Sequence, residues 1–309
     1  MSKPILHHYP MSPFAEKIRA ILGAKQLSWK SVIIPRVMPK PDVVALTGGY
    51  RKTPILQIGG DIYCDTALIA RKLDQLAPEP PLYPGHCAAG AEAIAAWADN
   101  QLFGAAVALA FQPAVIPQWW QGDEQELQTF AADRAAMRKG ASLPRTSLDA
   151  AKSIVSRFLK NFDQQLQSGM TFFGGESPCI ADFSVYHPLW FMWTKAVVRD
   201  ELKPFANVCH WMETMQAFGE VTAEEITGAD AIEIAKQTNT AVTESGSTLG
   251  KFKVGDQIAV QPTDYGIDPV QGKLLYSDEF EVVIARSDER AGDVAVHFPL
   301  VNYSIQAVE

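Results

Sequence analysis

The sequence contains few cysteines, and they are widely spaced. Cys64, Cys87, Cys179 and Cys209 form no Cys-x-x-Cys pair, and in a chain of this length such thiols are typical of a reducing compartment. None of the six histidines stands at a metal-ligand spacing from these cysteines. We therefore predict a cytoplasmic protein without a metal cofactor.

The sequence also lacks an excess of basic residues. It has 27 lysines and arginines against 35 aspartates and glutamates, a net charge of −8. Nucleic acids and anionic membranes bind basic surfaces, so we expect neither as a partner. There is no run of 18 or more apolar residues, and the N-terminus, MSKPILHHYP, lacks the layout of a secretory signal. We therefore expect no membrane span.

The N-terminal region alternates between strand and helix patterns. KPILHHY is predicted to be a buried strand, SPFAEKIRAILGAKQ an amphipathic helix, and WKSVIIP a second strand. Ser12 is a favoured N-cap for the helix, and Pro13 suits its first turn. The apolar stripe of this helix is Phe14, Ile18, Ile21 and Leu22. This order predicts a right-handed parallel crossover.

Two further strands and a helix complete this region. TPILQIGGDIYC contains two strand patterns around Gly59-Gly60, a hairpin signal. Asp65-Thr66 then caps a helix with the sequence ALIARKLDQL. Residues 1–76 are thus predicted to form an α/β domain with parallel and antiparallel pairing.

The remainder of the chain divides into a linker and two domains. APEPPLYPG (77–85) is rich in proline and predicts a linker. Residues 86–240 predict an all-α domain, with helical patterns at 88–111, 146–166, 179–197 and 204–218. After a polar loop at 238–247, short β-branched runs between turns indicate that residues 241–309 form a small antiparallel β-barrel or sandwich.

The position of Ser12 suits the stabilisation of an anion. A residue at the start of a helix lies among unpaired backbone N–H groups at the positive end of the helix dipole. Thiol pKa values fall at such positions. A serine there can donate a hydrogen bond to a bound thiolate without acting as a nucleophile. Taken alone, Ser12 is more often only an N-cap.

Two other pairs of residues also have both a ligand-binding and a purely structural interpretation. Thr53-Pro54 enters a strand, where a cis proline would aim the Thr53 backbone outward to pair with a peptide, although a trans proline is the commoner case. Asp65-Thr66 opens a helix, whose free N–H groups suit a carboxylate while Asp65 suits an ammonium. A simple helix cap is again the commoner case.

Taken together, these elements resemble the cytosolic glutathione transferases over residues 4–218. The resemblance implies a thioredoxin-like first domain, an all-α second domain, a homodimer, and glutathione as co-substrate. SPFAEKIR resembles the active-site segment of the serine-type classes. The glutathione-binding residues that the resemblance implies are Ser12, Phe14, Lys52, Thr53, Pro54, Asp65 and Thr66.

Each of these positions has an implied role. Ser12 takes the catalytic position, Thr53-Pro54 the cis-proline that pairs with the cysteinyl backbone, and Lys52 a place near the glycyl carboxylate. Asp65-Thr66 stands where Glu-Ser usually binds the γ-glutamyl end. Further along, FFGGESPCIADFSVYHPLWF resembles the family's buried capping box, in which Asp182 caps the chain near Cys179. The β-rich extension lies outside the usual fold.

Several alternatives remain open at the level of sequence. Tyr9 is a second candidate for the thiolate donor. Trp119 and Trp120, with Phe103 and Phe111, form either the wall of a pocket for a small hydrophobic electrophile or simply core. The chain is predicted to be a glutathione transferase. The alternatives are a non-catalytic scaffold that binds a partner through the extension, and a glutathione-dependent peroxide or disulfide reductase.

Overall fold

The computed structural model describes residues 2–142, 145–220, 223–238, 240–242 and 249–308. The strands in this part of the chain are β1 (Ile5–His8), β2 (Lys30–Ile33), β3 (Ile55–Ile58), β4 (Asp61–Cys64), β5 (Glu224–Glu225), β6 (Gln257–Pro262), β7 (Val270–Ser277), β8 (Glu281–Asp288), β9 (Gly292–Pro299) and β10 (Tyr303–Ala307). The helices are α1 (Pro13–Ala24), α2 (Pro41–Thr47), α3 (Thr66–Leu76), α4 (Ala88–Trp97), α5 (Phe103–Ala110), α6 (Ile116–Trp120), α7 (Glu124–Met137), α8 (Leu148–Gln167), α9 (Ile180–Trp193), α10 (Ala196–Arg199), α11 (Ala206–Phe218) and α12 (Gly228–Gln237).

The N-terminal strands form the predicted thioredoxin-like sheet. β1 pairs in parallel with β2 and antiparallel with β3, and β3 turns back into β4 as a hairpin. Gly59 occupies the left-handed region in this turn, with φ of +64°, where a residue without Cβ meets no steric penalty. The strands place alternate side chains on opposite faces: Leu6 and Leu56 pack on one, Ile5 and Ile55 on the other.

Each face of the sheet is covered by different elements. α1 and α3 pack on the Leu6 face and join the helical domain there through α9 and α11. On the Ile5 face lie α2 and α12. Residues 223–237 are therefore not part of the helical unit predicted for 86–240. They return to the first domain, where β5 pairs in parallel with β2.

The centre of the helical domain is one long helix. α4 and α5 are continuous through a π-helical turn at Ala98–Leu102, giving the 23-residue helix Ala88–Ala110, in which an 18-residue window has a mean hydropathy of 1.2. By length and composition it is able to cross a membrane, a feature that the sequence analysis did not expect. In the fold the helix packs against α8 and α9, and 39% of this window is buried.

The C-terminal strands form the predicted antiparallel extension, but it is not separate from the first domain. β9 pairs in parallel with β4, so that one ten-stranded sheet runs in the order β10-β6-β7-β8-β9-β4-β3-β1-β2-β5. Inward side chains of the extension, such as Val260 and Phe298, share a hydrophobic core with Ile5 and Ile62. The free edge of β4 and this shared core explain the merger. The predicted polar loop at 238–247 lies largely outside the described residues.

Some helices were missing from the sequence analysis. α2 lies between the second and third predicted strands, where no helix was predicted, although Pro41 in its first turn and Gly48 at its left-handed C-cap are helix signals. α6 and α7 were also not predicted. Most side chains of α7 are exposed and only Met137 is buried, so the helix lacks the apolar stripe that marks a helix in sequence.

The predicted capping box at the start of α9 is confirmed. The Asp182 carboxylate accepts hydrogen bonds from the backbone N–H of Cys179, at 2.9 Å, and of Phe173, at 3.0 Å. Asp182 and Cys179 are both buried, so the Cys179 amide depends on this carboxylate for its hydrogen bond. The carboxylate therefore fixes the loop before α9 onto the helix.

We expect Asp182→Ala to lower the free energy of unfolding by roughly 2–4 kcal/mol, because two buried N–H groups lose their acceptor. Asp182→Asn keeps one acceptor oxygen and should lose about half as much. Urea unfolding at pH 8 measures both, since burial raises the pKa of Asp182 only to about 6. An exposed acid in the first turn of α8, Asp149, provides the control variant. Equal stability of Asp182→Ala and Asp149→Ala would contradict this role.

A buried histidine lies at the junction of β4 and β9. His297 Nε2 is 3.2 Å from Asp61 Oδ1, and Nδ1 is 2.8 Å from Glu281 Oε2. Its ring stacks on Tyr63 with 4.1 Å between centroids. Burial alone would lower the pKa of His297, but its hydrogen bonds with Asp61 and Glu281 and their charges outweigh it and raise the pKa. The raised pKa favours the protonated imidazole, and the ring contacts Glu281 of the extension and Asp61 of the first domain.

This junction predicts a pH-dependent stability. Because the pKa of His297 is higher in the folded state, its contribution is complete below the unfolded value of about 6.5 and is lost as pH rises through the folded value. The difference in free energy of unfolding between wild type and His297→Gln should therefore shrink above about pH 6.5, by at most about 1.4 kcal/mol per pH unit. Denaturant unfolding from pH 6 to 9 tests this, with exposed His210→Gln as control. A difference that is constant or grows with pH would be inconsistent with a charged His297.

Candidate functional site

Ser12 stands at the beginning of α1, as the sequence predicted. Its Oγ accepts a hydrogen bond from the Ala15 backbone N–H at 3.2 Å, and the extended backbone of an N-cap precedes Pro13. The hydroxyl hydrogen is not used by this cap and can be donated to a ligand. Ser12 is buried within the protein but borders the cavity described below.

Tyr9 and Phe14 lie on either side of Ser12 in sequence and border the same cavity. The Tyr9 carbonyl accepts the Ser12 backbone N–H at 3.1 Å. The Phe14 ring packs edge-on against Phe103, with 4.7 Å between centroids, and lies 4.5 Å from the His187 ring. The segment between β1 and α1 therefore presents both candidate thiolate donors beside an aromatic surface.

The peptide bond between Thr53 and Pro54 is cis, at the entrance to β3. This conformation was one of the two possibilities that the sequence left open. The Lys40 ammonium donates to Thr53 Oγ1 at 3.1 Å, and burial lowers the pKa of Lys40 to about 8. The Thr53 side chain thus has a partner within the protein.

Asp65 and Thr66 stand at the beginning of α3. Asp65 Oδ1 accepts the Ala67 backbone N–H at 3.0 Å, and the Asp65 backbone has a φ of +76°. The second carboxylate oxygen accepts the hydroxyl of Tyr303, from β10, at 3.1 Å. Thr66 is buried as the first residue of the helix. This end of the site is therefore a helix N-terminus with a carboxylate beside it.

Lys52 is held by the C-terminal extension. Its Nζ lies 2.6 and 2.8 Å from the two carboxylate oxygens of Asp264 and 4.4 Å from the centre of the Tyr265 ring. Asp264 and Tyr265 belong to the loop between β6 and β7, 212 residues further along the chain. Sequence analysis missed both residues, because no local pattern indicates a contact across that distance.

The residues that the sequence assigned to the site surround one cavity of about 460 Å³. The predicted site residues that line it are Tyr9, Ser12, Phe14, Lys52, Thr53, Pro54, Asp65 and Thr66. The cavity extends from the start of α1 to the helical domain at Phe103 and to the extension at Asp264 and Phe280. The structure therefore brings together every residue that the sequence assigned to the site, and adds a wall from the extension.

The four aromatic residues considered for the electrophile pocket lie in two different places. Phe103 lines the cavity, but Trp119, Trp120 and Phe111 do not appear among its lining residues in the described part of the chain. They stack together, with ring centroids 5.3 Å apart for Phe111 and Trp119. Phe191 packs against the same cluster. The two tryptophans therefore belong to the core of the helical domain.

None of the four cysteines lines the cavity in the described part of the chain. Cys64 is buried, and this burial, with the nearby charge of Asp65, raises the pKa of its thiol. The described residues also contain no group of three or more His, Cys, Asp or Glu side chains placed to hold a metal ion.

Solved structures resemble the chain to different degrees. A glutathione S-transferase-like protein from Pseudomonas syringae shares 38% identity over the full length of both chains, with a TM-score of 0.83. A transferase from Methylobacillus flagellatus KT with glutathione bound is 22% identical over 72% of this chain and 100% of its own, with a TM-score of 0.50. One from Rhodospirillum rubrum F11 is 18% identical over 69% and 88%, with a TM-score of 0.50. The last two support the fold alone, and among curated proteins no match is found.

Family models match both major domains. The model of the glutathione S-transferase N-terminal domain matches residues 6–81, and that of the C-terminal domain matches residues 106–217. The Pseudomonas syringae relative matches over its full length, including the region of the extension. With the thioredoxin-like sheet and the helical domain described above, these matches show that the chain belongs to the glutathione S-transferase family.

Proposed function

We propose that this protein binds glutathione in the cavity and stabilises its thiolate beside Ser12 for attack on a small hydrophobic electrophile. The observation that carries the proposal is the convergence of all eight predicted site residues on one cavity. Membership of the glutathione S-transferase family supports the choice of ligand. Ser12 is preferred over Tyr9 because it stands at the N-terminus of α1, where an anion is favoured.

The free energy needed to lower the pKa of a thiol beside Ser12 is within the range that ordinary interactions supply. A free thiol has a pKa of about 8.5, and lowering it by two units needs roughly 2.7 kcal/mol. The dipole of a helix N-terminus contributes up to about 2 kcal/mol. A hydrogen bond to a charged group contributes about 1.5–3 kcal/mol. Ser12 Oγ keeps its hydrogen for this bond, because it acts only as an acceptor towards Ala15.

Thr53-Pro54 and Asp65-Thr66 suit the parts of glutathione other than its sulfur. The cis Thr53-Pro54 turn borders the cavity where the cysteinyl backbone would pair. The N-terminus of α3 suits the γ-glutamyl carboxylate, and Asp65 suits the ammonium of the same group. In this arrangement Ser12 lies at the sulfur and Asp65-Thr66 at the amino-acid end of glutathione.

The electrophile would lie on the side of the cavity that faces the helical domain. Its lining there combines the apolar side chains of Phe14, Phe103, Tyr83 and Ile180 with polar ones such as Asp99 and Asn100. The aromatic and aliphatic part of this wall would contact a small hydrophobic molecule.

The alternatives have less support from the structure. A disulfide reductase that uses a protein thiol would need a cysteine at the cavity, and the described lining contains none. The scaffold alternative has the extension bind a partner, and the extension would have to do so with strands that share the sheet and core of the first domain. A homodimer and a cytoplasmic location remain predictions.

Ser12→Ala should lower kcat/KM for conjugation of glutathione to a model aryl halide by about 10- to 100-fold, because the thiolate loses a charged hydrogen bond. The pKa of the bound thiol should rise by about 1 to 2, as followed by thiolate absorbance across pH. Ser12→Thr is the matched control, since it keeps both the cap and the hydroxyl, and it should retain most of the activity.

Tyr9→Phe separates the two candidate donors. If this variant raises the thiol pKa while Ser12→Ala leaves it unchanged, Tyr9 is the donor and the assignment of Ser12 is wrong. If glutathione fails to bind to the wild type in calorimetry, the proposed function itself is wrong.

A further inference from the structure

The loop between β6 and β7, residues 263–269, covers the Lys52 end of the cavity. Asp264 and Tyr265 of this loop line the cavity together with Lys52. Both oxygens of the Asp264 carboxylate contact the Lys52 ammonium, at 2.6 and 2.8 Å. The side chains are 15% exposed for Lys52 and 21% for Asp264, so water screens the pair less than it screens a surface salt bridge.

Hydrogen bonds with residues at and just after the C-terminal end of α7 fix this loop in place. The Ser142 backbone N–H donates to the Asp264 carbonyl at 3.1 Å, and the Gly266 N–H donates to the Met137 carbonyl at 2.8 Å. The Ser142 hydroxyl donates to the Thr263 carbonyl at 2.7 Å. Asp264 Oδ1 also accepts the N–H of Tyr265 at 2.7 Å. The carboxylate is therefore positioned by its own backbone as well as by Lys52.

The other cations around the cavity are also engaged. In the part of the chain that the structure describes, every lysine and arginine that lines the cavity contacts a carboxylate of the protein. The pairs are Lys17–Asp99, Arg51–Asp133, Lys52–Asp264, Arg71–Glu92 and Arg134–Asp133. A ligand carboxylate that enters at the Lys52 end must therefore displace Asp264 or lie beside it, and like charges in close contact are unfavourable.

We propose that Asp264 determines specificity at the glycine end of the site, by selecting glutathione derivatives whose glycyl carboxylate is blocked as an ester or amide over free glutathione. This inference rests on the proposed function, because it assigns the Lys52 end to the glycyl group. With Asp264 in place, the charge of Lys52 is neutralised, and a ligand with an uncharged end meets no repulsion. Without it, Lys52 is free to bind a carboxylate.

Calorimetric titration of glutathione and of its glycyl monoethyl ester, at one salt concentration, tests the proposal. The wild type should bind the ester at least as tightly as glutathione. Asp264→Asn keeps the acceptor for Tyr265 N–H but removes the charge. It should bind glutathione about tenfold tighter than the wild type does, while its affinity for the ester stays within about twofold. Asp149→Asn removes the same charge from an exposed position in the first turn of α8, outside the described lining of the cavity, and should change neither affinity.

Other results would overturn the proposal in distinct ways. A wild type that binds glutathione at least tenfold tighter than the ester shows that the glycyl carboxylate is recognised despite Asp264, and this measurement requires no variant. An Asp264→Asn variant with no gain for glutathione, or with equal changes for both ligands, shows that Asp264 only shapes the wall. If neither ligand binds the wild type or the variant, the proposed function fails and this inference with it.

Discussion

The parallel pairing of β9 with β4 joins the C-terminal strands to the thioredoxin-like sheet, and the second wall of the cavity depends on it. The pairing brings His297 against Asp61 at the strand junction and merges the hydrophobic residues of the extension with those of β1 and β3. With the strands fixed, the loop after β6 reaches Lys52 and β10 reaches Asp65. The extension is thus part of the site's architecture, and its removal would expose the core of the first domain.

Most elements of the fold follow from local sequence patterns. The apolar stripe after Ser12, the Gly59-Gly60 hairpin and the long pattern of α8 each encode their own geometry, and each is present in the structure. The merger of the sheet was not predictable in this way. The sequence of β9 predicts a strand, and the last six of its residues are buried, but a strand pattern does not show which sheet edge the strand pairs with. The exposed helix α7 escaped detection because it has no apolar face.

Some residues of the candidate site were likewise predictable from local sequence, and others were not. Ser12, Thr53-Pro54 and Asp65-Thr66 were found because each opens a helix or strand, and a resemblance to a known family gave them a common purpose. No local pattern indicates that Asp264, Tyr265 and Tyr303 belong to the site. Their contacts with the site join residues far apart in sequence, such as Lys52 and Asp264, which are 212 residues apart. Asp264 pairs with the charge of Lys52, Tyr265 packs against the same ammonium, and Tyr303 donates to Asp65.

We propose that the sulfur of glutathione lies at the N-terminus of α1, and a crystal structure of the protein soaked with glutathione tests this most directly. We expect the sulfur within hydrogen-bond distance of Ser12 Oγ, with the γ-glutamyl group at the beginning of α3. A sulfur bonded to Tyr9 Oη instead, or glutathione bound outside this cavity, would contradict it.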